Sequence, residues 1–311
     1  MVANSLKRLM LIFITLLLSA CAGMDGLGLD SATTTAAIPT AVVAVSATGT
    51  ATLTPTPAIT ATPTLTPIPT RPACLAAGGE IVVDSLRTDL LNLPLNYRVY
   101  LPPCYYADNT TRYPVLYLIH GQTFTDDQWP RMGVTEVANA MIAAGEAAPF
   151  IMVFPHDRVW RQPSEDAFGE AVIESLIPLI DENYRTLRGR QFRAIGGLSR
   201  GASWAIHLGL SHYELFGTIG VHSLPIFWED VPYIKEWLDT IPADQMPRFF
   251  IDVGTKDYED IINSATWFKE QLDERGIANE WYMLEGYHDE DYWSGNLELY
   301  LEYYTREWRE R

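Results

Sequence analysis

The chain has 311 residues, 48% of them hydrophobic, with 22 Lys and Arg against 39 Asp and Glu, for a formal charge of −17. That length holds one large domain or two small ones. The acidic balance argues against a nucleic-acid partner, which needs clustered Lys and Arg, and favours solubility.

The first twenty residues do not read as part of a fold. Lys7 and Arg8 precede the apolar run Leu9 to Leu18, which is too short for a spanning helix. Leu18-Ser19-Ala20-Cys21 resembles a bacterial lipobox. The pattern predicts a lipoprotein signal peptide over residues 1–20, with Cys21 lipidated and the domain held outside the cytoplasm on the cell membrane. The alternative is an ordinary secretory signal cleaved near Ala20. A lipidated cysteine of this kind carries two or more acyl chains, enough for stable anchoring.

Residues 21–72 read as the lipidated cysteine and a tether. From Ser31 to Thr70 there is no charge, and the segment is mainly Thr, Ala and Pro with scattered Val, Ile and Leu. Prolines interrupt any helical or strand period. About forty residues at a polyproline rise of ~3.1 Å reach roughly 120 Å. Cys74 and Cys104 then form an even pair in an exported domain, which predicts a disulfide.

Residues 73–311 alternate strand and helix patterns. Tyr97 to Leu101 alternates like a strand, while Val115 to Ile119 and Phe150 to Phe154 are continuous apolar runs, as in buried parallel strands. Val134, Val137, Ala138, Met141 and Ile142 share a helical face closed by Gly145. Phe168, Val172, Leu176 and Ile180 mark another helix. Later strands are Phe192 to Gly196, Phe216 to Val221, Arg248 to Val253 and Trp281 to Leu284. Repeated units of this kind predict an α/β domain, a mostly parallel sheet with helices on both faces. Sites in such sheets lie at the carboxyl ends of the strands.

At one such end stands Gly197-Leu198-Ser199-Arg200-Gly201, between a strand and the helical run Ala202 to Leu210. A sharp turn there exposes the serine hydroxyl, and the Arg200 N–H lies at a helix N-terminus where it can stabilise an oxyanion. A serine is a poor nucleophile without a positioned base. His207 and His212 fall within or just after the serine's own helix and point away from the turn. His222 follows too closely for a strand-ending acid to intervene, and His120 ends an earlier strand. His288, in Gly286-Tyr287-His288-Asp289, is the base expected. For the acid, Asp257 in Gly254-Thr255-Lys256-Asp257 directly follows a strand, with Glu259 and Asp260 as rivals. Asp252 would point into the sheet. The loop after His120-Gly121 can supply a second oxyanion N–H, expected from Gln122.

These pieces, with Val99-Tyr100-Leu101-Pro102-Pro103 and Tyr113 to Gly121, resemble the esterase D-like family of serine hydrolases. That family includes feruloyl esterases, enterochelin esterases, S-formylglutathione hydrolases and antigen 85 mycolyltransferases. The resemblance covers residues ~80 to ~305. It implies an α/β-hydrolase fold without a large lid, with Ser199 as nucleophile, His288 as base and Asp257 as acid, and no metal or organic cofactor. Ala202 stands where many members have a second glycine, and Gln122 replaces a common small or aromatic residue. The expected activity is hydrolysis of a carboxylic ester, with phenolic or acetyl esters of polysaccharides within reach of a tethered enzyme. An acyltransferase, or a surface binding protein that keeps the fold without the chemistry, would show the same framework. Phe124, Trp129, Trp160, Trp204, Trp228, Tyr287, Tyr292 and Trp293 fall near strand ends, where some would line an apolar or sugar-stacking cleft.

Overall fold

Eight strands form one sheet in the computed structural model, which describes residues 72–309. The signal segment, Cys21 and the tether up to residue 71 lie outside the described residues. The strands are β1 (Glu80–Leu86), β2 (Leu95–Leu101), β3 (Val115–Ile119), β4 (Ile151–Pro155), β5 (Arg193–Leu198), β6 (Thr218–His222), β7 (Arg248–Gly254) and β8 (Asn279–Leu284). Their spatial order is β1-β2-β4-β3-β5-β6-β7-β8. β2 runs antiparallel to both β1 and β4, and β3 to β8 are parallel.

β3 and β4 are apolar throughout because both sheet faces are covered there. Val115, Tyr117 and Ile119 join one core with Ile195, Trp204 and Phe249. Leu116 and Leu118 turn to the other, with Phe250, Tyr300 and Tyr304. The first face is covered by helices that include α6 (Arg200–Ser211) and α8 (Glu259–Glu274). Helix α3 (Val134–Ala144) and α10 (Leu297–Arg309) cover the second. Here α1 is Ala73–Ala77, α2 Gln128–Arg131, α4 Phe168–Ala171, α5 Ile177–Asn183, α7 Val231–Thr240 and α9 Glu290–Gly295.

Chain order reverses between β3 and β5, since β4 is laid outside β3 before the chain returns to β5. The crevice beyond the carboxyl ends of β3 and β5 is the switch point where such sheets bind ligands. Gln122 and Ser199 stand at those two ends. Cys74 and Cys104 are bonded, Cα to Cα 4.9 Å, tying α1 to the turn after β2.

β1 and the helix from Phe168 differ from the sequence reading. β1 was not apparent, because it is a sheet edge with most side chains in solvent, so no apolar alternation marks it. The helix from Phe168 is interrupted by a π-helical turn over Val172–Leu176. Pro178 lacks the N–H that would bond Glu174, and its ring displaces that carbonyl.

Candidate active site

The turn after β5 is held by close backbone contacts. A Cβ on Gly197 would meet the Gly201 carbonyl at 2.2 Å, and one on Gly201 would meet Ile119 O at 2.1 Å. Ser199 adopts φ 51°, ψ −126°, a conformation that costs about 1–3 kcal/mol and persists only where its surroundings fix it. Its N–H donates to His222 O at 2.8 Å. Ala202, where the family often has glycine, is wholly buried and accommodated. The strain lifts Oγ clear of the sheet into a cleft of about 590 Å³.

Ser199 Oγ lies 2.8 Å from His288 Nε2. His288 Nδ1 lies 2.8 Å from Asp257 Oδ1. The carboxylate sits off the Nδ1–H direction, and among the described residues Asp257 Oδ2 has no hydrogen-bond partner. Catalytic hydrogen bonds of free enzymes are often misaligned in this way and tighten with substrate. The two loops are laced together: Thr255 N–H donates to Leu284 O and Lys256 N–H to Gly286 O, each at 2.8 Å. Tyr258 N–H donates to Asp257 Oδ1 at 2.7 Å. Trp293 meets the imidazole edge-on at 5.0 Å and Tyr258 packs at 5.4 Å, so the ring is fenced on two sides.

The structure separates the candidates that the sequence left open. Glu259 and Asp260 point to solvent in the first turn of α8. Asp252 is wholly buried and accepts from His222 Nδ1 at 2.6 Å, Tyr292 OH at 2.6 Å and Tyr300 OH at 2.8 Å. His207 pairs with Asp230 at 2.9 Å, and His212 lies 3.6 Å from Glu214. His120 is buried between neighbouring chain segments: its Nε2 accepts from the Asp157 N–H at 3.0 Å, so Nδ1 carries the proton and donates to Gly121 O at 2.7 Å. Burial pushes the His120 pKa below the usual histidine range, in keeping with a neutral ring.

Gly121, Gln122 and Phe124 form one wall of the cleft and Trp293 part of the other. Gly121 N–H donates to Gln128 Oε1 at 2.8 Å; Gln128 in turn donates to Glu290 at 3.1 Å. Arg131 forks onto Glu290 at 2.6 and 2.8 Å and holds its carboxyl below the usual range. Arg200 opens α6, so its N–H has no acceptor within the helix. Of the aromatic candidates, Phe124 and Trp293 reach the cleft, whereas Trp129, Trp204 and Tyr292 belong to the core. Trp160, Trp228 and Tyr287 stand in solvent.

Sequence reasoning missed Asp157 and Gln128. Asp157 ends β4 much as Asp257 ends β7, and that position was the available signal. Gln128 gave none, since its role depends on α2 folding back onto Gly121.

A serine hydroxyl, an imidazole and a carboxylate in series, beside free N–H groups at a strand-end crevice, define a serine hydrolase site. Residues 88–302 match the family model described as Putative esterase, and the chain belongs to that family of serine esterases. It is 30% identical over 200 residues to an endo-1,4-beta-xylanase/feruloyl esterase of Xylanibacter ruminicola, covering 60% of this chain and 26% of the relative. The chain spans about a quarter of the length of the curated relatives it matches. A ferulic acid esterase structure superimposes with TM-score 0.65 at 27% identity, covering 74% of this chain and 98% of the other. A ferulic acid esterase from Anaeromyces mucronatus, in complex with ferulic acid, shares the fold with TM-score 0.61 at 21% identity over 72% of this chain and 90% of the other.

Proposed function

We propose that this protein hydrolyses phenolic esters of cell-wall polysaccharides, through an acyl-enzyme on Ser199, from an anchored position on the cell surface. The carrying observation is the 2.8 Å contact between Ser199 Oγ and His288 Nε2, backed by Asp257. His288 takes the hydroxyl proton as Oγ attacks the ester carbonyl. The N–H groups of Arg200 and Gln122 hold the oxyanion. The tetrahedral adduct collapses, the C–O bond breaks, and His288 returns the proton to the leaving alcohol. Water then attacks the acyl-enzyme with His288 again as base, releasing the acid and restoring Ser199.

The phenolic acyl group is supported by the feruloyl esterase relatives and by the cleft itself. Phe124 and Trp293 offer apolar walls, and Asp289 and Asp291 at the rim disfavour an anionic acyl group. The anchor rests on Leu18-Ser19-Ala20-Cys21, outside the described residues.

Turnover of methyl ferulate, feruloylated arabino-oligosaccharide, acetylated xylan and nitrophenyl acetate tests the substrate. Preference for the feruloyl sugar over the acetyl esters is expected. Faster release of acetate from xylan would overturn the phenolic reading. Metabolic labelling with a palmitate analogue, lost in Cys21→Ser, tests the anchor.

A further inference from the structure

Asp157 lies outside the Ser199–His288–Asp257 series, yet its bonds reach both sides of the oxyanion cradle. It is 1% exposed, at the carboxyl end of β4. Its Oδ2 accepts from Arg200 Nε at 2.6 Å and from Trp204 Nε1 at 2.8 Å. These two donors lie one turn apart on the first two turns of α6. Its Oδ1 accepts from Val159 N–H at 3.2 Å. Its own N–H donates to His120 Nε2, which leaves the His120 proton on Nδ1 for Gly121 O. One residue therefore grips the start of α6 through its carboxylate and the Gly121–Gln122 turn through His120.

Arg200 completes the clamp. Its Nη2 donates to Val159 O at 3.0 Å and Arg161 O at 2.7 Å, and its guanidinium lies 5.1 Å from the Phe227 ring centre. The side chain is 8% exposed, so breaking this pairing would leave a buried cation without its counter-charge. The buried Arg200–Asp157 pair does more than fill space: it fixes the residue whose backbone N–H faces the developing oxyanion. An oxyanion donor is useful only when held at 2.7–3.1 Å from the oxygen's transition-state position, with no reorganisation needed at the moment of reaction.

We propose that Asp157 is a positioning residue for the transition state, setting the Arg200 and Gln122 N–H groups relative to one another. The proposal rests on the roles given to those N–H groups above. A group that acts only on the transition state changes kcat and leaves ground-state binding alone.

The test measures kcat and KM on nitrophenyl acetate, and the inhibition constant of phenylboronic acid, whose tetrahedral serine adduct places an oxygen in the same cradle. Asp157→Asn should lower kcat at least 30-fold, with KM within threefold, and weaken the boronate by a similar factor. Leu272→Ala, in the core under α8, should lower the melting temperature with kcat unchanged. Asp157→Asn that keeps kcat within threefold, loses only KM, or leaves boronate affinity intact would overturn the proposal. If that variant does not fold, Arg200→Lys carries the test: Arg200 meets Asp157 through Nε and the two carbonyls through Nη2, and a single lysine nitrogen cannot occupy both places. It should lower kcat and boronate affinity together by at least fivefold, and an unaffected kcat overturns the proposal equally. Wild-type protein inert to the ester and to a fluorophosphonate would instead sink the reading of Ser199 itself, and this proposal with it.

Discussion

His222 and Asp252 meet at 2.6 Å, both wholly buried, on neighbouring strands where the β6–β7 register places them side by side. The same pair of side chains meets again at the cleft, as His288 and Asp257 in the loops after β8 and β7. What separates them is what the second imidazole nitrogen meets. His288 Nε2 faces a serine hydroxyl, whereas His222 Nε2 faces Tyr304 OH at 3.0 Å. A phenol of raised pKa, held there by burial, has no route to a substrate. The buried pair is a scaffold: His222 O takes the Ser199 N–H, and Asp252 O takes the Ser223 N–H.

The two carboxylates should therefore respond differently to the same substitution. Asp257→Asn should lower kcat by 10²–10⁴-fold at little cost in stability, because Asn can hold the wrong imidazole tautomer. Asp252→Asn should destabilise by roughly 2–4 kcal/mol, since Tyr292, Tyr300 and His222 lose a charged acceptor, with a much smaller effect on kcat of the folded protein. Asp260→Asn should be near neutral. Urea denaturation beside steady-state kinetics separates the three, and a larger kcat loss for Asp252→Asn than for Asp257→Asn would exchange the roles.

Ser199→Ala should lose at least ~10³ in kcat, because only binding and the oxyanion donors remain. Stability should change by less than about 1 kcal/mol, as Ala inherits the same backbone strain and loses a single exposed-side hydrogen bond. Fluorophosphonate labelling should disappear with activity. A variant retaining a tenth of wild-type turnover would rule out Ser199 as nucleophile.

The parts of the site legible in the sequence were the local ones. Ser199 directly follows a strand, and Asp257 and His288 lie in the short turns after two others, so an apolar run followed by a turn marks them without knowledge of the fold. Asp157 and Gln128 were not legible because each acts on a residue brought close only by tertiary packing: Arg200 is 43 positions from Asp157. The His222–Asp252 pairing needs the β6–β7 register, which periodicity does not supply. Among the strands, the buried parallel ones stood out and solvent-washed β1 did not, since its side chains carry no one-sided pattern.

Acid should weaken the fold through His120 before it protonates most carboxylates. Burial lowers the pKa of His120, and desolvation does the same to neighbouring His156. Asp126 and Asp157 face the pair and oppose the shift only in part. Between the folded value and the unfolded value of about 6.5, the unfolded chain binds more protons. Stability is then full above about pH 6.5 and is lost as pH falls from there, by at most ~1.4 kcal/mol per pH unit per group. Urea titrations from pH 7.5 to 5 should show this slope, and His120→Asn should be less stable at pH 7.5 yet flatter. Equal slopes would mean that His120 charges without cost.

Reduction of the Cys74–Cys104 bond should cost stability and spare catalysis. The bond closes a separation of 30 residues, for which loop entropy gives at most ~3–4 kcal/mol. For a domain of this size that corresponds to a melting-temperature fall of roughly 6–16 °C. Position argues for intact activity. β2 runs antiparallel to β4, with Tyr97 beside Pro155 and Tyr100 beside Met152, so its carboxyl end lies at the sheet edge opposite Ser199. From there Cys104 leads into Tyr105, which packs under the Arg185 guanidinium 3.8 Å away, again remote from the cleft. Thiol titration of denatured protein from an exporting host should find neither cysteine free. The Cys74→Ser/Cys104→Ser variant should melt earlier and keep wild-type kcat at low temperature. A kcat that falls while the fold persists would mean that the turn after β2 supports the cleft through the sheet, and that strand position alone does not insulate the site.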